Sequence, residues 1–215
     1  MDTAGWSSEA NATYYDTLLE IWALEAYIET LEIELPSLIE KERNRLRQGL
    51  NAEDEQALHY TEIAEFQLDD GITTRLITGS TLIATWATFE SGVQRAARNL
   101  EQPKDKFLDT SVKLFARLGI QHPKEIEDFY AIRNTLVHAN GRVEDIGLDI
   151  PDEDQRQKKR LKIEQLANSR TGMKISHDGY LVVSIEFVRA TFRFIEPLLM
   201  DLATRTDKEL TRKTV

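Results

Sequence analysis

Arg133, Asn134 and His138 place a guanidinium, a carboxamide and an imidazole in one short run, Arg-Asn-Thr-Leu-Val-His. These groups suit chemistry on a phosphate ester. Histidine can take and give protons near neutral pH. Arginine can stabilise charge that builds on phosphate oxygens, and an amide can orient the imidazole or a phosphate oxygen. If the run is helical, Asn134 and His138 are four apart and share a face. Ile126, Phe129, Tyr130, Ile132, Leu136 and Val137 make an apolar arc of about 160° on the same helix, and Arg133 falls near its middle. A cation on a core-facing stripe is costly unless it is paired.

Glu90 is the matching anomaly. It lies inside the arc that Leu82, Trp86, Phe89 and Val93 define on an earlier helix. Glu90 and Arg133 facing each other across a helix–helix contact would hold the guanidinium charged and oriented. Each residue also has a plainer explanation. The helix dipole alone favours a histidine at a helix C-terminus, and Arg133 with Glu90 can be a structural ion pair and nothing more.

The remaining chemistry-bearing residues carry less. His59 falls on an amphipathic stretch, His122 precedes Pro123, and His177 sits in a turn. No His-x3-His or His-Glu-x2-His spacing occurs, so neither a metal site nor a cofactor is expected. Phosphate-binding glycine loops, nucleophile elbows and RNA-recognition signatures are absent as well. Lys158, Lys159 and Arg160 lie in a basic run that either guides RNA or forms the solvated face of a helix. Their acidic neighbours favour the solvated face.

The elements that must position these residues are almost all helical. Residues 12–48 carry Leu18, Leu19, Trp22, Leu24, Ile28, Leu31, Leu35, Leu38, Ile39 and Leu46 at helical spacing, with Pro36 expected to kink or split the run. A second helix, from 51 to 68, would complete a long N-terminal hairpin. Further helices are expected over 73–100, 104–118, 123–139, 154–168 and 184–203. Gly119 and Asn140-Gly141 act as stop signals. Met173 to Val183 reads as a small β-hairpin about Asp178-Gly179. The expected division is an N-terminal helical extension (1–70), a helical domain (72–205) and a frayed polar tail (206–215).

Composition narrows the class further. The chain has 215 residues, a net charge of −10 and no cysteine, so disulfides and thiolate metal sites are excluded. Its start is polar and acidic, and no run approaches the ~18 apolar residues of a membrane span. A cytoplasmic protein without a membrane partner is expected. The acidity argues against non-specific nucleic-acid binding through the overall field, so any RNA chemistry must rest on a few placed cations.

The segment from Arg133 to His138, followed by Ala139-Asn140-Gly141, resembles the Arg-x4-His motif of HEPN domains. The context agrees: a late helix, an earlier helix carrying Phe89-Glu90, and a closing helix. The resemblance covers roughly residues 72 to 205. It implies an all-α bundle that forms a homodimer and brings two motifs together in a cleft. It also implies a metal-independent endoribonuclease that cuts RNA through its own 2′-hydroxyl, in a toxin–antitoxin or phage-defence setting, with an antitoxin-like or regulatory protein as a further partner. Arg133, Asn134 and His138 would be catalytic and Glu90 would support them. Other members of the family bind proteins or nucleotides without cutting, so a non-catalytic interaction module is the alternative.

Overall fold

The computed structural model describes residues 12–48, 72–103 and 105–214. The expected helix over 51–68 and its histidine, His59, lie outside them. The described residues form an all-α helical bundle with one two-stranded ribbon. In chain order the elements are α1 (Ala12–Gln48), α2 (Ile72–Asn99), α3 (Phe107–Leu118), α4 (Glu125–His138), a 3-10 turn (Val143–Asp145), α5 (Glu153–Ser169), β1 (Met173–Ile175), β2 (Leu181–Val183) and α6 (Ile185–Thr214). No helix among the described residues is long and apolar enough to cross a membrane.

Two compact units emerge. Among the described residues, the first comprises 12–25, 84–103, 105–130 and 190–214; the second comprises 26–48, 72–83 and 131–189. The core of the first is aromatic. Trp86 and Phe89 lie one turn apart on α2 with ring centroids 5.1 Å apart, and Phe107 meets both rings edge-on. Phe129 of α4 adds a contact with Phe194 of α6 at 5.1 Å. Trp86 and Phe89 are fully buried, and burying a side chain of this size contributes roughly 1.5–3 kcal/mol. Polar ties fix the ends of the helices: Asn99 Nδ2 donates to Thr13 Oγ1 at 2.8 Å, Arg95 pairs with Glu20, and Arg117 donates to the Leu100 carbonyl at 2.8 Å.

The first unit also explains where α6 ends. The tail was expected to fray after Ala203, yet the helix runs to Thr214. Thr206 and Asp207 are buried. Asp207 Oδ2 accepts the Tyr14 N–H at 3.0 Å and so caps the start of α1 from another helix. Burial raises the Asp207 pKa above its ordinary value, and the Tyr14 and Thr13 hydrogen bonds oppose that rise. Arg117 pairs with Glu209 at 2.5 Å, and Arg205 with Asp201 at 2.7 Å. A polar sequence therefore continues as helix because its side chains find partners.

In the second unit the start of α2 packs on α4. Gly79 leaves room for Leu136, whose Cδ2 lies 3.7 Å from where a Cβ would be. Arg189 pairs with Glu32. Asp152 caps α5 through the Asp154 and Gln155 N–H groups. The expected ribbon is present, with Met173 opposite Val183 and Ile175 opposite Leu181. Gly179 supplies the positive φ of its turn, at 78°.

Helix α1 is continuous through Pro36, so of the two expected effects of that proline the split does not occur. It buries Ile21, Leu24, Ile28 and Leu35, while Leu19, Trp22 and Leu38 are exposed. Tyr15, Leu19, Trp22 and Ile33, spaced by multiples close to a helical turn, line the opposite side and are exposed too. The helix thus carries apolar residues on two sides, and a wheel cannot say which side faces the core.

Candidate functional site

Helix α4 positions the Arg–His run. It starts where the Pro123 carbonyl accepts the Ile126 N–H at 3.3 Å, with Glu125, Glu127 and Asp128 in the first turn, where the helix dipole favours acids. Ile126, Phe129, Ile132, Thr135 and Leu136 form its buried side. Val137, expected in the same apolar arc, is 40% exposed. It follows Leu136 by about 100° and turns past the edge of the contact. Arg133 and Asn134 are half-buried, and His138 is exposed. Tyr130, also half-buried, stacks on Phe107 with centroids 5.5 Å apart.

One guanidinium nitrogen reaches both of its neighbours. Arg133 Nη1 donates to Asn134 Oδ1 at 3.0 Å and lies 3.5 Å from His138 Nε2. Guanidinium has donors and no acceptor. The second contact is therefore a hydrogen bond only when Nε2 offers its lone pair, with the imidazole proton on Nδ1. At 3.5 Å it is long enough to orient the ring without holding it tightly. Asn134 was expected to orient the imidazole or a phosphate oxygen; here its carbonyl oxygen serves the arginine.

The end of α4 is fixed by the backbone that follows it. The buried Thr135 offers its carbonyl to the Ala139 N–H at 3.2 Å and to the Gly141 N–H at 2.9 Å. Asn140 and Gly141 take positive φ values of 48° and 79°, as the sequence signal implied. The chain then joins the ribbon. Gly141 accepts the Leu181 N–H at 2.7 Å, Val143 donates to the Gly179 carbonyl at 2.9 Å, and Arg142 bridges Tyr180. His138 thus sits on a helix end tied to a β-ribbon.

That tie brings in two residues the sequence reading passed over. Arg75, at the start of α2, lies over the Tyr180 ring, 3.8 Å from its centroid. Its Cδ is 3.9 Å from the position of a Cβ on Gly141. No spacing rule links Arg75 to Tyr180; only the ribbon brings them together.

The other expected residues divide. Glu90 accepts the indole N–H of the buried Trp86 at 3.0 Å, one turn earlier on α2. Glu90 belongs to the first unit and Arg133 to the second. Arg160 is structural: it donates to the Glu144 carbonyl at 2.6 Å and lies 4.0 Å from Glu153. Lys158 and Lys159 are exposed on α5. His177 is exposed in the ribbon turn. His122 is half-buried against Phe115, and its Nε2 is 3.0 Å from the buried Ser111 Oγ; burial lowers its pKa, and Glu127 opposes this. Ser111 also donates to the Leu108 carbonyl at 2.8 Å, so this pair is a packing element. Among the described residues, no three or more His, Asp or Glu side chains gather as a metal site would.

No protein-family model, curated protein or solved structure matches this chain.

Proposed function

We propose that the chain is a HEPN-type endoribonuclease that works without a metal ion, with Arg133, Asn134 and His138 as its active residues. The observation that carries this reading is the placement of one arginine nitrogen between an amide oxygen and the Nε2 of an exposed histidine at a fixed helix end. A purely structural histidine has no need of that neighbour.

The chemistry follows from the substrate. RNA carries its own nucleophile. His138 Nε2 removes the 2′-hydroxyl proton, and the 2′-oxygen attacks the adjacent phosphorus. The bond from phosphorus to the 5′-oxygen breaks, and a second imidazole protonates that oxygen. The products are a 2′,3′-cyclic phosphate and a 5′-hydroxyl end. Arg133 donates to the non-bridging oxygens as charge builds on them, and Asn134 holds the guanidinium in place. His138 of the partner subunit in a homodimer supplies the second imidazole. A cytoplasmic toxin or antiviral enzyme, restrained by a protein partner, fits this activity.

The test is cleavage of mixed RNAs by the purified chain, with and without EDTA. Cleavage should survive EDTA, and the new ends should be cyclic phosphates. His138→Ala should lower the rate by roughly 10²–10⁴-fold, the usual contribution of a placed acid or base. Equal cleavage by His138→Ala and Arg133→Ala would show that the activity lies elsewhere. The net charge of −10 favours a second reading, a non-catalytic module that recruits a basic partner. Under that reading no RNA is cut and none is bound.

A further inference from the structure

We propose that Arg75 and Tyr180 form a shelf that holds a nucleotide flanking the scissile phosphate of single-stranded RNA, an inference that rests on the ribonuclease reading above. Three observations support it. The guanidinium carbon of Arg75 lies over the Tyr180 ring, 3.8 Å from its centroid. A guanidinium stacked on a ring keeps its N–H groups in its own plane, where a phosphate can take two of them. Arginine and tyrosine both offer a face on which a base can stack.

Arg75 is also uncommitted. The chain is acidic and uses most of its arginines in ion pairs: Arg95 with Glu20, Arg117 with Glu209, Arg189 with Glu32. Among the described residues Arg75 makes no hydrogen bond or ion pair, and its one interaction with them is with Tyr180. A half-buried cation that gives up part of its hydration without a countercharge is explained by an anion that arrives from outside.

Position is the third support. The arginine stem passes Gly141, three residues beyond His138, and Tyr180 bridges Arg142. Gly141 and Leu181 are hydrogen-bonded neighbours. The same ribbon that fixes the end of α4 therefore fixes the shelf. In single-stranded recognition, an aromatic–arginine stack is tolerant of sequence, so the shelf should give affinity without base preference.

The experiment uses the full chain carrying His138→Ala, which keeps the RNA intact, and a fluorescent single-stranded RNA of mixed sequence. Anisotropy titrations are run over a range of KCl concentrations. Adding Arg75→Ala should weaken binding roughly 10- to 100-fold and reduce the slope of log K against log salt by about 0.7, the loss of one phosphate contact on a single strand. Adding Tyr180→Leu should weaken binding while keeping the slope, because the charge remains. Arg75→Lys should keep the slope and recover only part of the affinity, and thermal unfolding of each variant confirms the fold. Unchanged affinity and slope in both Arg75→Ala and Tyr180→Leu, with RNA still bound and the wild-type chain still cutting, would overturn the shelf alone. Absence of both RNA binding and cleavage would overturn the ribonuclease reading and the shelf with it.

Discussion

Asn134 acts through Arg133, and this can be measured without assuming any activity. The perturbation is Asn134→Ala, alone and combined with Arg133→Ala. Asn134 Oδ1 accepts Arg133 Nη1 at 3.0 Å. A hydrogen bond to a charged group contributes about 1.5–3 kcal/mol when buried. Both side chains are half-exposed, so solvent screening reduces this to roughly 1 kcal/mol. The double-mutant cycle in urea unfolding should therefore show a coupling of about 0.5–1.5 kcal/mol, the range for residues in contact. The same cycle read by RNA cleavage gives the functional half. If the amide only orients the guanidinium, Asn134→Ala slows cleavage about tenfold for each 1.4 kcal/mol of lost positioning. It should slow it no further once Arg133 is gone. Urea coupling within error of zero would refute the structural claim. A full Asn134→Ala loss that persists in the Arg133→Ala background would show that Asn134 meets the substrate itself.

Other predictions test the frame around the site. Asp207→Asn should gain stability relative to the wild type as pH rises above 3.8, because burial raises the Asp207 pKa above that value; the folded form then binds the proton more tightly than the unfolded form, and wild-type stability falls as pH rises through the folded pKa. Denaturant midpoints at pH 4 and pH 7 check this: the advantage of the asparagine should be larger at pH 7, and a constant difference would be contrary. His122 gives the opposite acid limb, since its pKa is lowered below 6.5 by burial; stability present above pH 6.5 should be lost as pH falls below it, and His122→Phe should flatten that limb in thermal scans. Gly141→Ala should cost about 1–2 kcal/mol, the strain of an L-residue in the left-handed region. A Cβ there would meet its neighbours at ordinary contact distance, the Leu181 carbonyl at 3.6 Å being the nearest, so a loss well above that range in urea unfolding would mean a clash.

Some of the fold is legible in the residues. Leu82, Trp86, Phe89, Val93 and Ala97 recur on one face of α2, and all are buried. Gly119 ends α3 with φ 66° because a left-handed residue there lets the Ile120 N–H reach the Phe115 carbonyl at 2.8 Å. Asp178-Gly179 marks the ribbon turn. Helix α1 is where reading failed, since Leu19 and Trp22 match the helical period as well as Ile21 and Leu24 do. Period alone has no means to choose between two apolar sides. The end of α6 is polar and looked like a tail, but its order comes from long-range partners such as Tyr14 and Arg117, which composition does not reveal.

The site shows the same division. Arg133, Asn134 and His138 were visible because they are local, but the reach of the Arg133 side chain, not the four-residue spacing of Asn134 and His138, sets the contacts among them. Arg75 and Tyr180 lie far apart in the chain, and their meeting depends on the ribbon register and on the left-handed turn at Asn140-Gly141. This also bears on the acidity that weighs against RNA. A net charge of −10 sets the field at a distance, but screening over about 10 Å limits that field at ordinary ionic strength. At contact, what matters is which cations are free of internal carboxylates. Arg160, a member of the basic run, is bound to the Glu144 carbonyl, while Arg75 is held, among the described residues, by an aromatic ring alone. Within the basic run on α5, Arg160 is thus a weaker candidate for guiding RNA than a single arginine that no charge pattern would have selected.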